Sequence, residues 1–203
     1  MSASVERCAE AALQSPTAFS TFIGKVRDLA KNNPGFFRSE QSVRDCEKEW
    51  EFLDSYGEYA KGRIEECVWG DVEQIWNAEY RQDASILIGQ FLQYLKKVEV
   101  DVISQIATRA KTAEESLQGF SSFVNDMEFF AVQNPDIFCT EDAICHYQDI
   151  WNQLEVLNSV LLCEWEKNRA KVSFVSNRSV EYQPKASKLL NCLIEVLREQ
   201  IVA

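Results

Sequence analysis

The chain has 203 residues, 46% of them hydrophobic, and carries a formal net charge of −11 at pH 7. This apolar content suffices for a sizeable core, either in one large domain or in two small ones. The negative charge excludes nucleic acid and anionic membranes as natural targets and favours basic surfaces as partners.

The chain start and the cysteines indicate a cytoplasmic protein. The segment from Met1 to Arg7 lacks the basic and then apolar pattern of a signal peptide, and no run of about 18 apolar residues follows it. The seven cysteines are odd in number and form no CxxC pair. We therefore expect a soluble protein with reduced, largely buried thiols.

Three helices are predicted in the first half of the chain. Ser15-Pro16 is typical of a helix start, and Asn33-Pro34-Gly35 ends that helix. Ser39 is the predicted N-cap of a long second helix. After a less regular stretch from Trp69 to Arg81, a third helix begins near Asp83. The core stripes of the three are Phe19, Phe22, Ile23, Val26, Leu29 and Ala30; then Val43, Cys46, Trp50, Leu53, Gly57, Ala60 and Ile64; then Leu87, Phe91, Tyr94, Leu95, Val98 and Val102.

The second half of the chain repeats the first at an offset of 101 residues. Residues that return unchanged include Phe19, Asn33, Pro34, Trp50 and Leu53 as Phe120, Asn134, Pro135, Trp151 and Leu154. After one inserted residue, Glu79 and Tyr80 return as Glu181 and Tyr182. This pattern indicates a tandem duplication. Whatever both copies retain is then attributed to the fold, and a feature of one copy alone is free to be functional.

The predicted elements of the second copy follow the same order. Thr112 and Glu115 form a predicted capping box, and Thr140 is the predicted N-cap of the long helix. An irregular stretch from Lys171 to Gln183 precedes a third helix that begins near Pro184. The stripes are Leu117, Phe120, Phe123, Val124, Met127 and Phe130; then Ile144, Tyr147, Trp151, Leu154, Asn158, Leu161 and Trp165; then Leu189, Leu193, Val196 and Leu197.

The predicted fold is therefore all-α. Each copy is a three-helix unit of about 100 residues whose short loops make neighbouring helices antiparallel. We assign residues 1–110 to the first repeat and 111–203 to the second, packed as a six-helix or slightly larger bundle. Whether the two form one core or two separate bundles is left open by the stripes.

The sequence lacks the motifs of the common enzyme classes. No GxGxxG, P-loop, GxSxG or HExxH motif occurs. His146 is the only histidine, and its spacing from Cys139 and Cys145 fits no common zinc pattern. We expect a helix-surface histidine, no metal, no cofactor and no catalytic residues, and thus a protein that is not an enzyme.

One feature of the first copy is a row of acids. Its members Glu47, Glu51, Asp54 and Glu58 follow one another at helical spacing, so that they form one ridge. The second copy has Gln148, Asn152, Glu155 and Ser159 there, so the fold does not require the charges. The row is either an acidic strip that binds a basic partner or a solvated helix face.

Two further features offer partner contacts. The second copy places apolar side chains where the first is polar, namely Phe129, Ile150, Val156, Val160 and Leu162, which form either a seam between the two copies or a partner or homodimer groove. The dipeptides Glu79-Tyr80 and Glu181-Tyr182 either anchor the third helix or contact a partner directly.

The segments Asn33-Pro34-Gly35-Phe36 and Asn77-Ala78-Glu79-Tyr80, with the helix from Ala84 to Leu95 and their counterparts in the second copy, suggest a family. They resemble the small helical immunity proteins that neutralise type VI secretion NAD(P)+ glycohydrolase effectors, which are single units. The chain departs from that pattern in being duplicated and in having few acids before its last helix. The resemblance implies a protein that binds a cognate toxin domain, and occludes it, in the bacterial cytoplasm.

The resemblance makes the acidic row, Glu79-Tyr80 and Glu181-Tyr182 the candidate partner-binding residues. A helical adaptor or dimerisation module that uses the apolar face of the second repeat is the alternative. An acidic mimic of nucleic acid has only the net charge in its favour. The oligomeric state is not determined by these patterns.

Overall fold

A computed structural model describes residues 1–66, 71–138, 140–168 and 174–202. Within these ranges the chain is helical and contains no strand, which confirms the all-α class. None of the helices in these ranges is long and apolar enough to cross a membrane.

The chain divides into two compact units. Unit 1 comprises Met1–Glu99 with Gln133–Ile137, and unit 2 comprises Val100–Val132 with Phe138–Ala203. The sequence repeat places its boundary after residue 110, whereas the structural units meet between Glu99 and Val100, inside one long helix.

Among the described residues, unit 1 contains helices α1 (Ser2–Ala12), α2 (Pro16–Arg27), α3 (Leu29–Asn32), α4 (Glu40–Glu65) and α5 (Val72–Ile75) and the first part of α6 (Arg81–Ala113), up to Glu99. A π-helical segment at Trp76–Tyr80 lies before α6. Helix α2 packs against both α1 and α4. The Ser15 Oγ caps α2 by accepting from the amide of Ala18 at 3.1 Å, and Pro16 occupies the first helical position.

Among the described residues, unit 2 contains the end of α6 and the helices after it. They are α7 (Leu117–Met127), α8 (Phe130–Gln133), α9 (Glu141–Asn168) and α10 (Phe174–Val202). Gln133, the last residue of α8, is the exception and belongs to unit 1. A 3-10 turn at Pro135–Ile137 lies between α8 and α9 and belongs to unit 1. Helix α9 packs against both α7 and α10.

Each unit keeps the same tryptophan contact. Trp50 donates from Nε1 to the Ile23 carbonyl at 3.1 Å in unit 1, and Trp151 donates to the Val124 carbonyl at 2.9 Å in unit 2. Helices α2, α3 and α4 also begin 101 residues before α7, α8 and α9. The sequence offset therefore recurs in the described helices and in this hydrogen bond.

The predicted stripes are largely buried. In unit 1 the buried side chains include Phe19, Phe22, Ile23, Leu53 and Ile64, and in unit 2 Phe120, Phe123, Tyr147, Leu154 and Leu193. Trp165 is an exception, since 37% of it is exposed. Gly57 allows α4 to approach α2 closely, because a Cβ there would lie 2.7 Å from the Cδ1 of Ile23.

The two Asn-Pro turns meet within unit 1. Asn33 donates from Nδ2 to Asp136 Oδ2 at 2.8 Å, and the Asn134 Oδ1 accepts from the Phe36 amide at 3.2 Å. Both asparagines are fully buried. A Cβ on Gly35 would collide with the Asn134 side chain. These contacts give a structural reason for the retention of Asn-Pro in both halves of the sequence.

The N-terminal end of unit 1 also packs tightly. Helix α1, which the sequence did not predict, buries Val5, Ala9 and Ala12. The buried ammonium of Met1 pairs with the buried Glu99 carboxylate at 2.5 Å and donates to the Ile137 carbonyl at 3.2 Å. Outside this buried pair, Lys96 binds Glu6 at 2.6 Å.

The predicted capping box at Thr112 and Glu115 is wrong. Thr112 lies in the last turn of α6, where its Oγ1 donates to the Thr108 carbonyl at 3.1 Å. Ser116 caps α7 by accepting from the amide of Gly119 at 3.0 Å. Helix α6 thus extends past Val102 to Ala113. Thr112 fits inside it, because a Thr side chain in a helix can bond back to the preceding turn.

The predicted irregular stretches are also wrong where the structure describes them. Residues 72–81 are helical, and the π-helical segment widens one turn, which breaks the 3.6-residue spacing that sequence patterns detect. Helix α10 begins at Phe174 and contains Pro184. A proline inside a helix removes one intrahelical hydrogen bond and crowds the carbonyl four residues earlier, and the buried Ala186, Leu190 and Leu197 hold α10 beyond it.

Candidate partner-binding surfaces

The acidic row lies on the exposed side of α4. Ser39 starts this helix, because its Oγ accepts from the Ser42 amide at 3.0 Å while Ser42 Oγ accepts from the Ser39 amide at 3.3 Å. The opposite side of α4 is buried. Of the row, Glu47, Glu51 and Glu58 are exposed.

Asp54 differs from the other acids of the row, since it is half-buried beside α2. The Arg27 guanidinium lies 4.0 Å from Asp54 Oδ1 and 5.0 Å above the Trp50 ring. The fold already uses this carboxylate, because a guanidinium between a ring and an acid is held by both. The free acidic surface thus consists of Glu47, Glu51 and Glu58.

Two aromatic side chains beside the row were not predicted as site residues. Phe52 and Tyr59 are 55% and 58% exposed on α4. The second copy has Gln153 and Val160 at these positions, and this loss of aromatic character was a signal that could have found them. Exposed aromatics near acids on one rigid helix are typical of a protein contact surface.

Tyr59 packs within a cluster of three tyrosines. Its ring lies 6.4 Å from that of Tyr56 and 6.3 Å from that of Tyr80, and the Tyr56 hydroxyl donates to the Tyr80 carbonyl at 2.9 Å. Burial raises the pKa of Tyr80, and Glu79 raises it further, whereas a hydrogen bond with Arg63 lowers it. We call Tyr56, Tyr59 and Tyr80 the tyrosine cluster.

The dipeptide Glu79-Tyr80 is divided between surface and core. Both residues lie in the π-helical segment, where Glu79 is exposed and Tyr80 is buried. The same segment is fixed by Trp76, which is fully buried and donates from Nε1 to the Leu13 carbonyl at 3.0 Å. Tyr80 therefore positions the segment, and Glu79 is the member that a partner can reach.

Glu181 and Tyr182 have their backbone in α10, and their side chains lie outside the described residues. The acidic row and Glu79-Tyr80 both belong to unit 1. No known protein family, curated protein or solved structure matches this chain. Its surfaces are consequently interpreted from their own chemistry.

Unit 2 exposes an apolar face on α9. Val156 and Val160 are 60% and 42% exposed, and Cys163, one turn further, is exposed as well. Of the other apolar replacements, Phe129 and Leu162 are exposed and only Ile150 is buried.

The described residues offer no group of three or more metal-binding side chains. His146 is exposed on α9, which confirms the helix-surface prediction. The prediction of largely buried thiols holds for Cys46 and is wrong for Cys145 and Cys163, which are exposed. Cys67 and Cys139 lie outside the described residues.

Four ionisable side chains with raised pKa predict a loss of stability at alkaline pH. Burial raises the pKa of Tyr147, Tyr94, Cys46 and Tyr56, the last two to about 12. The unfolded chain ionises the same groups from their ordinary values of 9.0 and 10.0 upward. Above pH 9 the folded state therefore binds more protons, so the free energy of unfolding falls as the pH rises through about 12.

Urea unfolding followed by circular dichroism at pH 7.5 to 11 measures this loss. The Tyr147→Phe variant is the comparison, because it removes one ionisable hydroxyl that donates to the Met127 carbonyl at 2.9 Å. We expect a lower stability at pH 7.5 and a shallower decline above pH 9 in that variant. A pH profile that is flat from 9 to 11 in the wild type would contradict the prediction.

Proposed function

We propose that this chain is an immunity protein, which binds a cognate secreted toxin domain in the bacterial cytoplasm and neutralises it by occlusion. The resemblance stated above makes an NAD(P)+ glycohydrolase domain the proposed toxin. Inhibition by occlusion uses no catalytic residue and no cofactor, and accordingly we propose a binding protein rather than an enzyme.

The observation that carries this proposal is the surface of α4. Glu47, Glu51 and Glu58 are exposed along this helix, and Phe52 and Tyr59 are exposed about 100° further round its axis. Aromatic side chains supply most of the binding energy in many interfaces, and surrounding acids accelerate encounter with a basic partner. The two kinds of contact that a toxin inhibitor needs are therefore present on one helix.

The surface is also preorganised. Helix α4 is capped at Ser39, and its other side is buried through Cys46, Leu53 and Ile64. The tyrosine cluster holds Tyr59 from a second element of unit 1. Since little ordering is required on binding, more of the contact energy contributes to affinity.

The first experiment is co-expression of this chain with the product of the neighbouring gene, scored by growth and by co-purification. Immunity proteins are usually encoded beside their toxin, so we expect the neighbouring product to arrest growth alone and the pair to grow and co-purify. Arrest without rescue and without a complex would contradict the proposed function.

Charge reversal tests the proposed surface. The variant Glu47→Lys, Glu51→Lys, Glu58→Lys should slow association with the toxin by about 10-fold or more at low ionic strength. The difference should shrink as salt is raised, because exposed charges are screened. Stopped-flow or surface plasmon resonance kinetics at two salt concentrations measure both effects.

A charge-matched control is available on α9. Asp149, Glu155 and Glu166 are exposed there, and their reversal to lysine changes the net charge by the same amount. A local effect requires the α4 variant to bind more slowly than this control. Equal rates for the wild type and the α4 variant would make the acidic row a solvated helix face.

The adaptor or dimerisation module remains the second candidate, because Val156 and Val160 are exposed on α9. In the same co-purification experiment this alternative predicts loss of the partner in the variant Val156→Glu, Val160→Glu. It also predicts that charge reversal on α4 leaves binding unchanged, which is the opposite of the immunity proposal.

A further inference from the structure

A groove in unit 2 lies between the last part of α6 and α10. It has a volume of about 1000 Å³. The buried Ile103, Ala110 and Ile194 contribute to its lining, and Val100, which is 53% exposed, lies at its rim. Every residue that lines it belongs to unit 2. Neither the acidic row nor the apolar face of α9 includes any part of this groove.

The groove is lined by two pairs of opposite charges. Lys111 and Glu114 follow each other at the end of α6, and Glu195 and Arg198 do so on α10. None of the four forms an ion pair with another residue of the described ranges. Their charges cancel, although the whole chain carries −11.

Helix directions place the two charge pairs at opposite ends of the groove. Helices α6 and α7 are antiparallel, since three residues join them and Arg109 pairs with Asp126 near the end of α7. Helices α7 and α9 are antiparallel because Trp151 bonds Val124 whereas Tyr147, earlier on α9, bonds Met127, later on α7.

Helix α10 is antiparallel to α9, because the connection between them is much shorter than α9 itself. Six residue steps lead from Asn168 to Phe174 and span at most about 22 Å, whereas α9 is about 42 Å long. Since α10 packs against α9, it must fold back along it. Three reversals make α6 and α10 antiparallel, so their C-terminal charge pairs lie at opposite ends.

We propose that this groove is a homodimer interface. A two-fold axis through the middle of the groove brings the Lys111 and Glu114 end of one copy over the Glu195 and Arg198 end of the other. Lys111 then faces Glu195, and Glu114 faces Arg198, twice in the dimer, as an isologous interface requires. Two chains of net charge −11 repel each other, and the facing pairs of opposite charge at this groove oppose that repulsion.

The test uses two variants of the full chain with exchanged charges. The first carries Lys111→Glu and Glu114→Lys, and the second carries Glu195→Lys and Arg198→Glu, so that each keeps the net charge. In a dimer of either variant with itself, like charges face each other at both ends of the interface. In a dimer of one variant with the other, opposite charges face each other at both ends.

Sedimentation velocity from 1 μM to 1 mM, with circular dichroism for helix content, gives the outcomes. We expect a concentration-dependent dimer of the wild type, at least about 30-fold weaker dimerisation of each variant alone, and recovery in the mixture. The exchange Lys96→Glu with Glu6→Lys, at an ion pair in unit 1, is the control and should leave dimerisation unchanged.

Three results would overturn the proposal. They are a wild type that stays at 23.3 kDa up to 1 mM, a dimer that survives either exchange, and a mixture that does not recover. Loss of the dimer in Val160→Glu with no effect of the exchanges would assign the interface to α9 instead. If a variant loses helix content, the single variants Lys111→Gln and Glu195→Gln replace the exchanges. Each should weaken the dimer at full helix content, and an unchanged dimer would overturn the proposal.

Discussion

Replacing Trp76 by alanine should lower the free energy of unfolding by about 3–5 kcal/mol. Trp76 is fully buried, and its ring lies 5.5 Å from that of Phe19 in unit 1. Its Nε1 donates to the Leu13 carbonyl, which joins the end of α1 to the π-helical segment. The substitution removes both the packing and this bond, and it leaves a cavity in the core of unit 1.

Urea unfolding followed by circular dichroism measures the effect. Trp165→Ala is the control, since Trp165 is 37% exposed on α9 and should contribute much less. Because Tyr80 lies in the same segment, Trp76→Ala should also weaken toxin binding if the tyrosine cluster contributes to the interface. Equal losses of stability in the two variants would show that burial does not determine the contribution of these tryptophans.

The repeat predicts more of the fold than local patterns do. Ser15 was identified as a helix cap from its sequence context, and the residue 101 positions later is Ser116. The structure makes Ser116 the cap of α7. The local capping pattern at Thr112 and Glu115 gave the wrong start, because it is compatible with the end of a helix as well as with its beginning.

The unpredicted parts of the fold depend on long-range contacts. The π turn at Trp76–Tyr80 carries Trp76, whose ring lies against Phe19, and Tyr80, whose ring lies against Tyr59. Helix α1 carries few strong apolar residues, so its burial depends on packing against α2 and on the pair that Met1 forms with the buried Glu99. Such pairings are invisible to a periodicity that looks only along the chain.

The candidate site could be predicted in part for a similar reason. Helical spacing placed Glu47, Glu51 and Glu58 on one exposed ridge, as the structure has them. The contact of Asp54 with Arg27 and the groove between α6 and α10 require the fold itself. Comparison of the two copies finds residues that differ, and it does not say which of them lie together.

Replacing Asn33 by alanine should lower the free energy of unfolding by about 2–3 kcal/mol. Asn33 donates to the Leu29 carbonyl and to Asp136 at 2.8 Å each, and it accepts from the Asp136 amide at 3.3 Å. The variant leaves the Asp136 amide and carboxylate without these partners. Denaturant unfolding measures the loss, and Asn152→Ala, at an exposed site on α9, should change stability by less than about 0.5 kcal/mol.

The second asparagine decides whether the two turns act as one unit. Asn134 bonds the Phe36 amide from the opposite turn, and Gly35 leaves room for its side chain. If the reciprocal contacts are coupled, the double variant Asn33→Ala, Asn134→Ala should lose less stability than the sum of the single losses, because either change already loosens both turns. Strict additivity would mean that each asparagine stabilises its own turn alone, and the retention of Asn-Pro in both halves would then reflect two local requirements.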